Sequence, residues 1–350
     1  MKIVRIAIVG AGAIGGTLAA RLIEQGYSLT VVDKNPEHIE AVNKHGLLID
    51  GCEETHLHTK LKLHNKLNGL YDVVFLAVKS THTQEACLEI LTHLRPDGLL
   101  VSLQNGINND QIIPLIGKER FIAGVVGFGA TYAEPGHITI TSKEKDFIVG
   151  SLLKQQPDLL TTIQRILGEV APTEVSLNIL GDQWGKLAMN CIINPFCAIT
   201  NKSFGENVHA GQVRRQMQEI LTEVLTVGKE QGIVFTKLAG KYNIENMFLI
   251  HVLQDIIDIT NRAPSPTKRI LDLLEYPIDI FRGSTWLQLL ALKHGKIKSS
   301  MWQDLQRHQK TEIDFLNGYV SKKGREAHVA TPANDRVVAE IQALEKKLCP

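Results

Sequence analysis

Short apolar runs alternate with amphipathic stretches through the first half of the chain. Val4 to Val9 is a β-rich apolar run, the pattern of a strand buried on both faces. Ile14, Leu18 and Leu22 then recur at helical spacing, and Gly26 closes that helix. Ser28 to Val32 reads as a second strand, completing a βαβ unit. Val73–Val78, Leu99–Leu103 and Ile122–Val126 are further buried-strand candidates, with helical or loop stretches between the earlier ones. This alternation predicts a mainly parallel, doubly wound sheet with helices on both faces, an α/β fold. Ile138–Thr141 and Phe147–Val149 read as shorter strands flanking a Lys/Glu turn, an antiparallel extension.

After about residue 175 the pattern changes. Val213, Met217, Ile220, Leu221, Val224 and Val227 form a helical apolar stripe that Gly232 caps. The stretches 299–320 and 334–347 also read as helical, and strand signals nearly vanish. Asn261 to Lys268 reads as a loop within this half. The expected second domain is therefore all-α, over residues 176–350.

The chain has 350 residues, room for two domains. Its 38 Lys and Arg against 37 Asp and Glu give a net charge of +1, so there is no basic field for a nucleic acid and no acidic tail. Hydrophobic residues at 44% and charged residues at 21% exclude a disordered chain or a coiled coil. Five scattered cysteines, at 52, 87, 191, 197 and 349, point to reduced thiols rather than a disulfide framework. No apolar run approaches the ~20 residues that span a bilayer. The expectation is a soluble cytoplasmic protein without nucleic-acid or membrane partners. Lys2 and Arg5, followed by an apolar stretch and Ala19-Ala20, could pass for a signal peptide, but the glycines inside that stretch have a better explanation.

Gly10-Ala11-Gly12-Ala13-Ile14-Gly15-Gly16 carries the GxGxxG pattern between an expected strand and an expected helix. Gly10 permits the tight turn, Gly12 lets the backbone approach a pyrophosphate, and Gly15 lets helix and strand pack closely. The helix N-terminus turns free N–H groups and a positive dipole end toward the phosphates. Residues 1–175 are thus expected to be a Rossmann dinucleotide-binding domain. Asp33 ends the second strand about 20 residues on, where an acid accepts hydrogen bonds from the adenosine ribose and favours NAD(H). Lys34 beside it could instead reach the 2′-phosphate of NADP(H).

Trp184-Gly185-Lys186-Leu187-Ala188-Met189-Asn190-Cys191-Ile192-Ile193-Asn194-Pro195 is the most distinctive segment. On a helix Lys186, Asn190 and Asn194 share one face amid apolar neighbours. They must satisfy one another, line a cavity, or divide between a snorkelling lysine and two internal caps. Pro195 would bend or end the helix. His56, His58 and His64 lack the spaced carboxylate or cysteine of a metal site and fit a solvated strand, so no metal is expected. Cys191 and Cys197 read as buried, inert thiols.

With these motifs the chain resembles the 2-dehydropantoate 2-reductase (ketopantoate reductase) family. The resemblance covers most of the chain: the glycine motif, Ala77-Val78-Lys79, Leu103-Gln104-Asn105-Gly106, Lys186 to Asn194, and Ser299-Ser300-Met301 running through Asp304 to Thr311-Glu312-Ile313-Asp314. It implies a Rossmann domain joined to a helical substrate and catalytic domain, and reduction of 2-dehydropantoate to pantoate by NADPH in pantothenate synthesis. Carried over, Lys186 would be the general acid, and Asn190, Asn194 and Ser300 would contact substrate. Lys79, Asn105 and Ala130 would line the cofactor, and Glu312 would hold it. Read without the resemblance, Lys79 and Asn105 each follow an expected strand at the carboxyl edge of the sheet, where doubly wound folds bind ligands, or are a surface strand-end lysine and part of a plain turn; Ser300 is a helix cap and Glu312 an exposed charge.

The family usually has an asparagine at the position of Phe204, and the stretch from about 236 to 298 is longer than usual. Phe204 predicts an apolar wall and acceptance of 2-oxo acids that lack a hydroxyl. Two other readings stay open: a broader 2-hydroxy acid dehydrogenase, and a nucleotide-binding Rossmann protein without turnover. The sequence leaves the choice of NADPH or NADH and the oligomeric state open, a homodimer included.

Overall fold

The computed structural model describes residues 4–52, 56–153, 158–235, 237–238, 242–243, 287–288, 291–292, 295–296 and 298–349. Most of the long 236–298 stretch, including the loop from Asn261 to Lys268, lies outside the described residues. The chain divides into two compact units, residues 1–183 and 184–350.

The first unit begins β1 (Ile6–Val9), α1 (Ala13–Glu24), β2 (Leu29–Val32), α2 (Pro36–His45), β3 (Leu47–Gly51), β4 (Leu57–Thr59) and β5 (Leu63–His64). It continues β6 (Tyr71–Leu76), α3 (Thr83–His93), β7 (Leu94–Ser102), α4 (Asn109–Ile116) and β8 (Phe121–Val126). β9 (Ala130–Glu134), β10 (His137–Ile140), β11 (Phe147–Ser151), α5 (Leu159–Gly168) and β12 (Thr173–Val175) complete it. Eight strands form one sheet in the order β12-β11-β8-β7-β6-β1-β2-β5. β1 lies parallel between β2 and β6, with Ile6 opposite Leu29 and Val73. Every residue of β1, β6 and β8 is buried, which is why these strands read as continuous apolar runs.

The two short strands expected to form one extension part company. β11 joins the large sheet antiparallel to β8. β10 belongs to a second sheet of order β4-β3-β10-β9. That sheet packs on α1 at Gly16, where a Cβ would stand 2.5 Å from Ile138 Cδ1. α2 opens on Asn35, whose side chain accepts from the Glu37 and His38 amides, with Pro36 at its first position.

α6 (Ile179–Thr200) crosses the division between the units. Beyond it come α7 (Phe204–His209), α8 (Gly211–Glu230), a two-residue antiparallel pair β13 (Lys237–Leu238) and β14 (Tyr242–Asn243), α9 (Ser300–Gln306), α10 (Asn317–Glu326) and α11 (Pro332–Leu348). α8, α10 and α11 pack on one another. The α8 stripe of Met217, Ile220, Leu221, Val224 and Val227 is buried as its spacing requires. The continuous helix expected over 299–320 is broken: α9 stops at Gln306 and α10 starts at Asn317, with a single 3₁₀ turn between, Ile313–Phe315. Among the described residues no helix is long and apolar enough to cross a membrane.

Candidate active site

The glycine turn has the stereochemistry its spacing demands. Gly10 takes φ +95°, and a Cβ there would stand 2.8 Å from the backbone of Ala77 and Val78. A Cβ on Gly15 would lie 1.8 Å from the Gly10 carbonyl oxygen, so helix and turn touch backbone to backbone. Gly12 is different: a Cβ there would meet no heavy atom within 4 Å. It is the N-cap of α1, with no side chain capping that end and no acid in the first turn. Gly12, Ala13 and Ile14 are half-buried. An open, uncapped N-terminus on a helix of this length suits a phosphate group.

Ala11 is fully buried, and both its backbone polar groups are engaged. Its N–H donates to Asp33 Oδ2 at 2.7 Å, and its carbonyl accepts from His38 Nε2 at 3.0 Å. Asp33 Oδ1 accepts from the Asn35 amide at 2.9 Å. Asp33 therefore braces the glycine turn from the end of β2. Lys34 pairs with Glu85, both exposed, and holds that carboxyl below the usual range. His38 is a residue that sequence reasoning missed. The Gly136 amide donates to its Nδ1 at 3.0 Å, so Nε2 carries the hydrogen it gives to Ala11 and the ring is neutral. Burial lowers its pKa below the ordinary value. The only local sign of it was a histidine in the first turn of a helix; its partner is in the turn between β9 and β10. A cavity of about 510 Å³ lies beside this end of β2, lined by Lys34, Ile39, Leu63 and His64 among others.

Lys79 follows β6 and Asn105 follows β7, on the same carboxyl edge of the sheet as the glycine turn. Side chains between the two loops knit them together. Ser80 Oγ and Asn108 Nδ2 both donate to the Asn105 carbonyl, at 3.1 and 3.0 Å. Gln104 Nε2 donates to the Val78 carbonyl at 3.0 Å and to Thr83 Oγ1 at 2.8 Å. Lys79 and Asn105 are half-buried, and Gly106 makes the turn at φ +73°. Ala130 opens β9, in the second sheet.

In the second unit, α6 carries Lys186, Asn190 and Asn194 along one face; the first two are half-buried and Asn194 is 7% exposed. Among the described residues, Asn190 Nδ2 is buried without a hydrogen-bond partner. The helix does not end at Pro195 but runs on to Thr200. Ser300 does not cap α9 either. Ser299 does, accepting from the Trp302 amide at 3.1 Å while its hydroxyl donates to the Asn194 carbonyl at 3.0 Å. Ser300 is therefore brought beside the Asn194 turn, exposed, as the first residue of α9. Glu312 is half-buried at the start of the 3₁₀ turn.

Phe204 is fully buried as the first residue of α7, behind a Ser203–Glu206 capping box. A ring with no accessible surface cannot wall a substrate cleft, so that expectation is corrected. Burial pushes the Cys197 thiol up to about 11 and the Cys191 thiol well above its usual value. His58 Nε2 bonds the His45 carbonyl at 2.6 Å. A cavity of about 540 Å³ lined by Arg214, Arg215, Glu219 and Arg336 includes none of the expected site residues.

Two family models match the sequence: Ketopantoate reductase PanE/ApbA over residues 6–154, and Ketopantoate reductase PanE/ApbA C terminal over 178–345. A 2-dehydropantoate 2-reductase of Pyrococcus horikoshii is 28% identical over 343 residues, 97% of each chain. One of Lactococcus lactis is 25% identical over 355 residues, 98% of this chain and 99% of that one. The solved structure of a PanE/ApbA family ketopantoate reductase from Ralstonia eutropha superposes with a TM-score of 0.77 at 25% identity, over 98% of this chain and 99% of that one. A D-mandelate dehydrogenase solved with NADH and anilino(oxo)acetate gives a TM-score of 0.79 at 22% identity over the same shares, a likeness of fold.

Proposed function

The chain belongs to the ketopantoate reductase PanE/ApbA family of oxidoreductases, and from that premise we propose that it reduces 2-dehydropantoate to pantoate with a nicotinamide nucleotide. In this reading residues 1–175 bind the dinucleotide and 176–350 supply the substrate and catalytic residues. Gly12, Ala13, Ile14 and the N-terminus of α1 hold the pyrophosphate, while Gly10, Ala11 and Gly15 keep the turn in shape. Lys79, Asn105, Ala130 and Glu312 are the further cofactor contacts that the family resemblance implies.

A reduced nicotinamide, when bound, would supply the hydride that the ketone carbon accepts. Lys186 donates a proton to the ketone oxygen, so the alcohol forms without a free alkoxide, and the lysine regains its proton from solvent. Asn190, Asn194 and Ser300 hydrogen-bond the substrate's carboxylate and hydroxyl groups. One observation carries the assignment: a buried Asn190 Nδ2 that finds no partner among the described residues, one turn from Lys186. Leaving such a donor unpaired costs about 1–3 kcal/mol, which a substrate acceptor offsets.

For the cofactor the end of β2 suits NADH. Asp33 sets a fixed carboxylate there, and the Lys34 charge that would compensate it is shared with Glu85. The D-mandelate dehydrogenase of similar fold was solved with NADH.

The test is oxidation of NADH and NADPH, followed by absorbance, against 2-dehydropantoate, 2-oxoisovalerate and other 2-oxo acids. Lys186→Ala should lower turnover by about 10²-fold or more with nucleotide affinity unchanged. Nucleotide binding without turnover of any 2-oxo acid would leave a non-catalytic nucleotide-binding protein instead.

A further inference from the structure

The helix that carries Lys186 and Asn190 contains a broken rung. Pro195 has no N–H, so the Cys191 carbonyl loses the donor that a regular helix would give it. Cys191 is fully buried, which keeps water from replacing that donor. Asn317, the first residue of α10 and itself fully buried, supplies one: its Nδ2 donates to the Cys191 carbonyl at 3.1 Å. The same Nδ2 donates to Asn334 Oδ1 at 2.9 Å, and Asn334 Nδ2 donates to Glu223 Oε2 at 2.7 Å. Glu223 also accepts the amides of Ala333 and Asn334, at 2.8 and 2.9 Å. It thereby caps α11, whose N-cap residue Thr331 makes no side-chain capping bond.

The direction of these bonds is determined. Two acceptors face the Asn317 nitrogen and a carboxylate faces the Asn334 nitrogen, so neither amide can be flipped without setting like groups against each other. A chain of hydrogen bonds thus links Glu223, the acceptor at its far end, through two fully buried amides to the one carbonyl that Pro195 strips. It ends between Asn190 and Asn194, and the Ser299 hydroxyl grips the Asn194 carbonyl on the next rung at 3.0 Å. Stability alone would be served more simply by an apolar contact and a helix residue other than proline at 195.

We propose that Asn317 is a positioning residue: backed by Asn334 and Glu223, it sets the path of α6 across the proline step and so the placement of Asn190 and Asn194 on the substrate. The proposal rests on the reading of α6 as the substrate-binding helix.

The experiment is a double-mutant cycle between positions 317 and 195. Asn317→Leu keeps the branched outline of the side chain, though it is bulkier, and removes the donor. It should raise KM for the 2-oxo acid about 5- to 10-fold, what one net hydrogen bond amounts to, with nucleotide Kd unchanged. Pro195→Ala restores an N–H for the Cys191 carbonyl, so in that background Asn317→Leu should cost much less, both in KM and in melting temperature. An unchanged KM in folded Asn317→Leu, or equal KM effects in both backgrounds, overturns the proposal. Should Asn317→Leu fail to fold, Glu223→Gln at the partly exposed end of the chain should move KM in the same direction, and no movement overturns it. A wild-type chain inert toward every 2-oxo acid defeats the functional reading instead. The melting-temperature cycle then decides the 317–195 link alone, and additive effects there overturn it.

Discussion

Asparagine in place of Asp33 keeps the size of the side chain and removes its charge. In the native turn Oδ2 takes the Ala11 N–H at 2.7 Å and Oδ1 the Asn35 N–H at 2.9 Å. Asparagine can accept only one of them. Ala11 is fully buried, so the oxygen stays with it, and the Asn35 amide at the exposed edge turns to water. One charge-assisted bond becomes neutral and one exposed bond is lost, a cost of about 1–2 kcal/mol. For a unit of this size that is about 2–4 °C of melting temperature per kcal/mol. The same substitution removes the like charge facing a 2′-phosphate. Asp33 is half-exposed, so solvent screening leaves about 1–3 kcal/mol, roughly 5- to 150-fold in relative affinity. Asp33→Asn should therefore raise the NADPH-to-NADH ratio of kcat/KM by a factor in that range, chiefly through KM for NADPH. Initial rates with both nucleotides at one fixed 2-oxo acid, with melts run in parallel, measure both effects. If the melt falls and the ratio stays put, Asp33 is a brace for the turn and nothing more. If the ratio moves and the melt does not, the hydrogen bonds are weaker than their lengths imply.

Gly15→Ala forces a methyl to 1.8 Å from the Gly10 carbonyl and should cost about 2 kcal/mol or more on a melt; Gly12→Ala has room, so it should melt normally yet bind nucleotide more weakly, and normal binding would remove the phosphate from that turn. His38 is held neutral with a lowered pKa, so the unfolded chain binds more protons as pH drops below about 6.5, its unfolded value. Stability should be greatest above that value and decline below it until the folded pKa is reached; urea midpoints on either side, with His38→Gln as control, check this, and a pH slope that survives in the control assigns it elsewhere.

Much of the first unit could be read from local pattern because its strands are buried on both faces and its turns are made by glycines whose spacing is itself the geometry. The same holds for the polar stripe of α6 and the apolar stripe of α8, where period and packing are one property. The second sheet was legible only in part: Ile138–Thr141 and the histidines at 56 and 58 read as strands, but β3 and β9 are short and largely half-exposed, so no period showed that the four pair into a sheet of their own. Pro195 shows the same limit. A proline marks the end of a helix unless a distant donor takes over the freed carbonyl, and Asn317 is 126 residues away. Local pattern determined the buried strands of the large sheet, the apolar stripe of α8, the three jobs of the glycines and the face shared by Lys186 and Asn190. Only the tertiary structure decided that Asp33 braces the turn, that His38 is neutral through an amide 98 residues on, and that α6 passes its proline unbroken. Each of those depends on a polar group finding its partner across the fold, and a linear sequence does not encode that pairing in any local period.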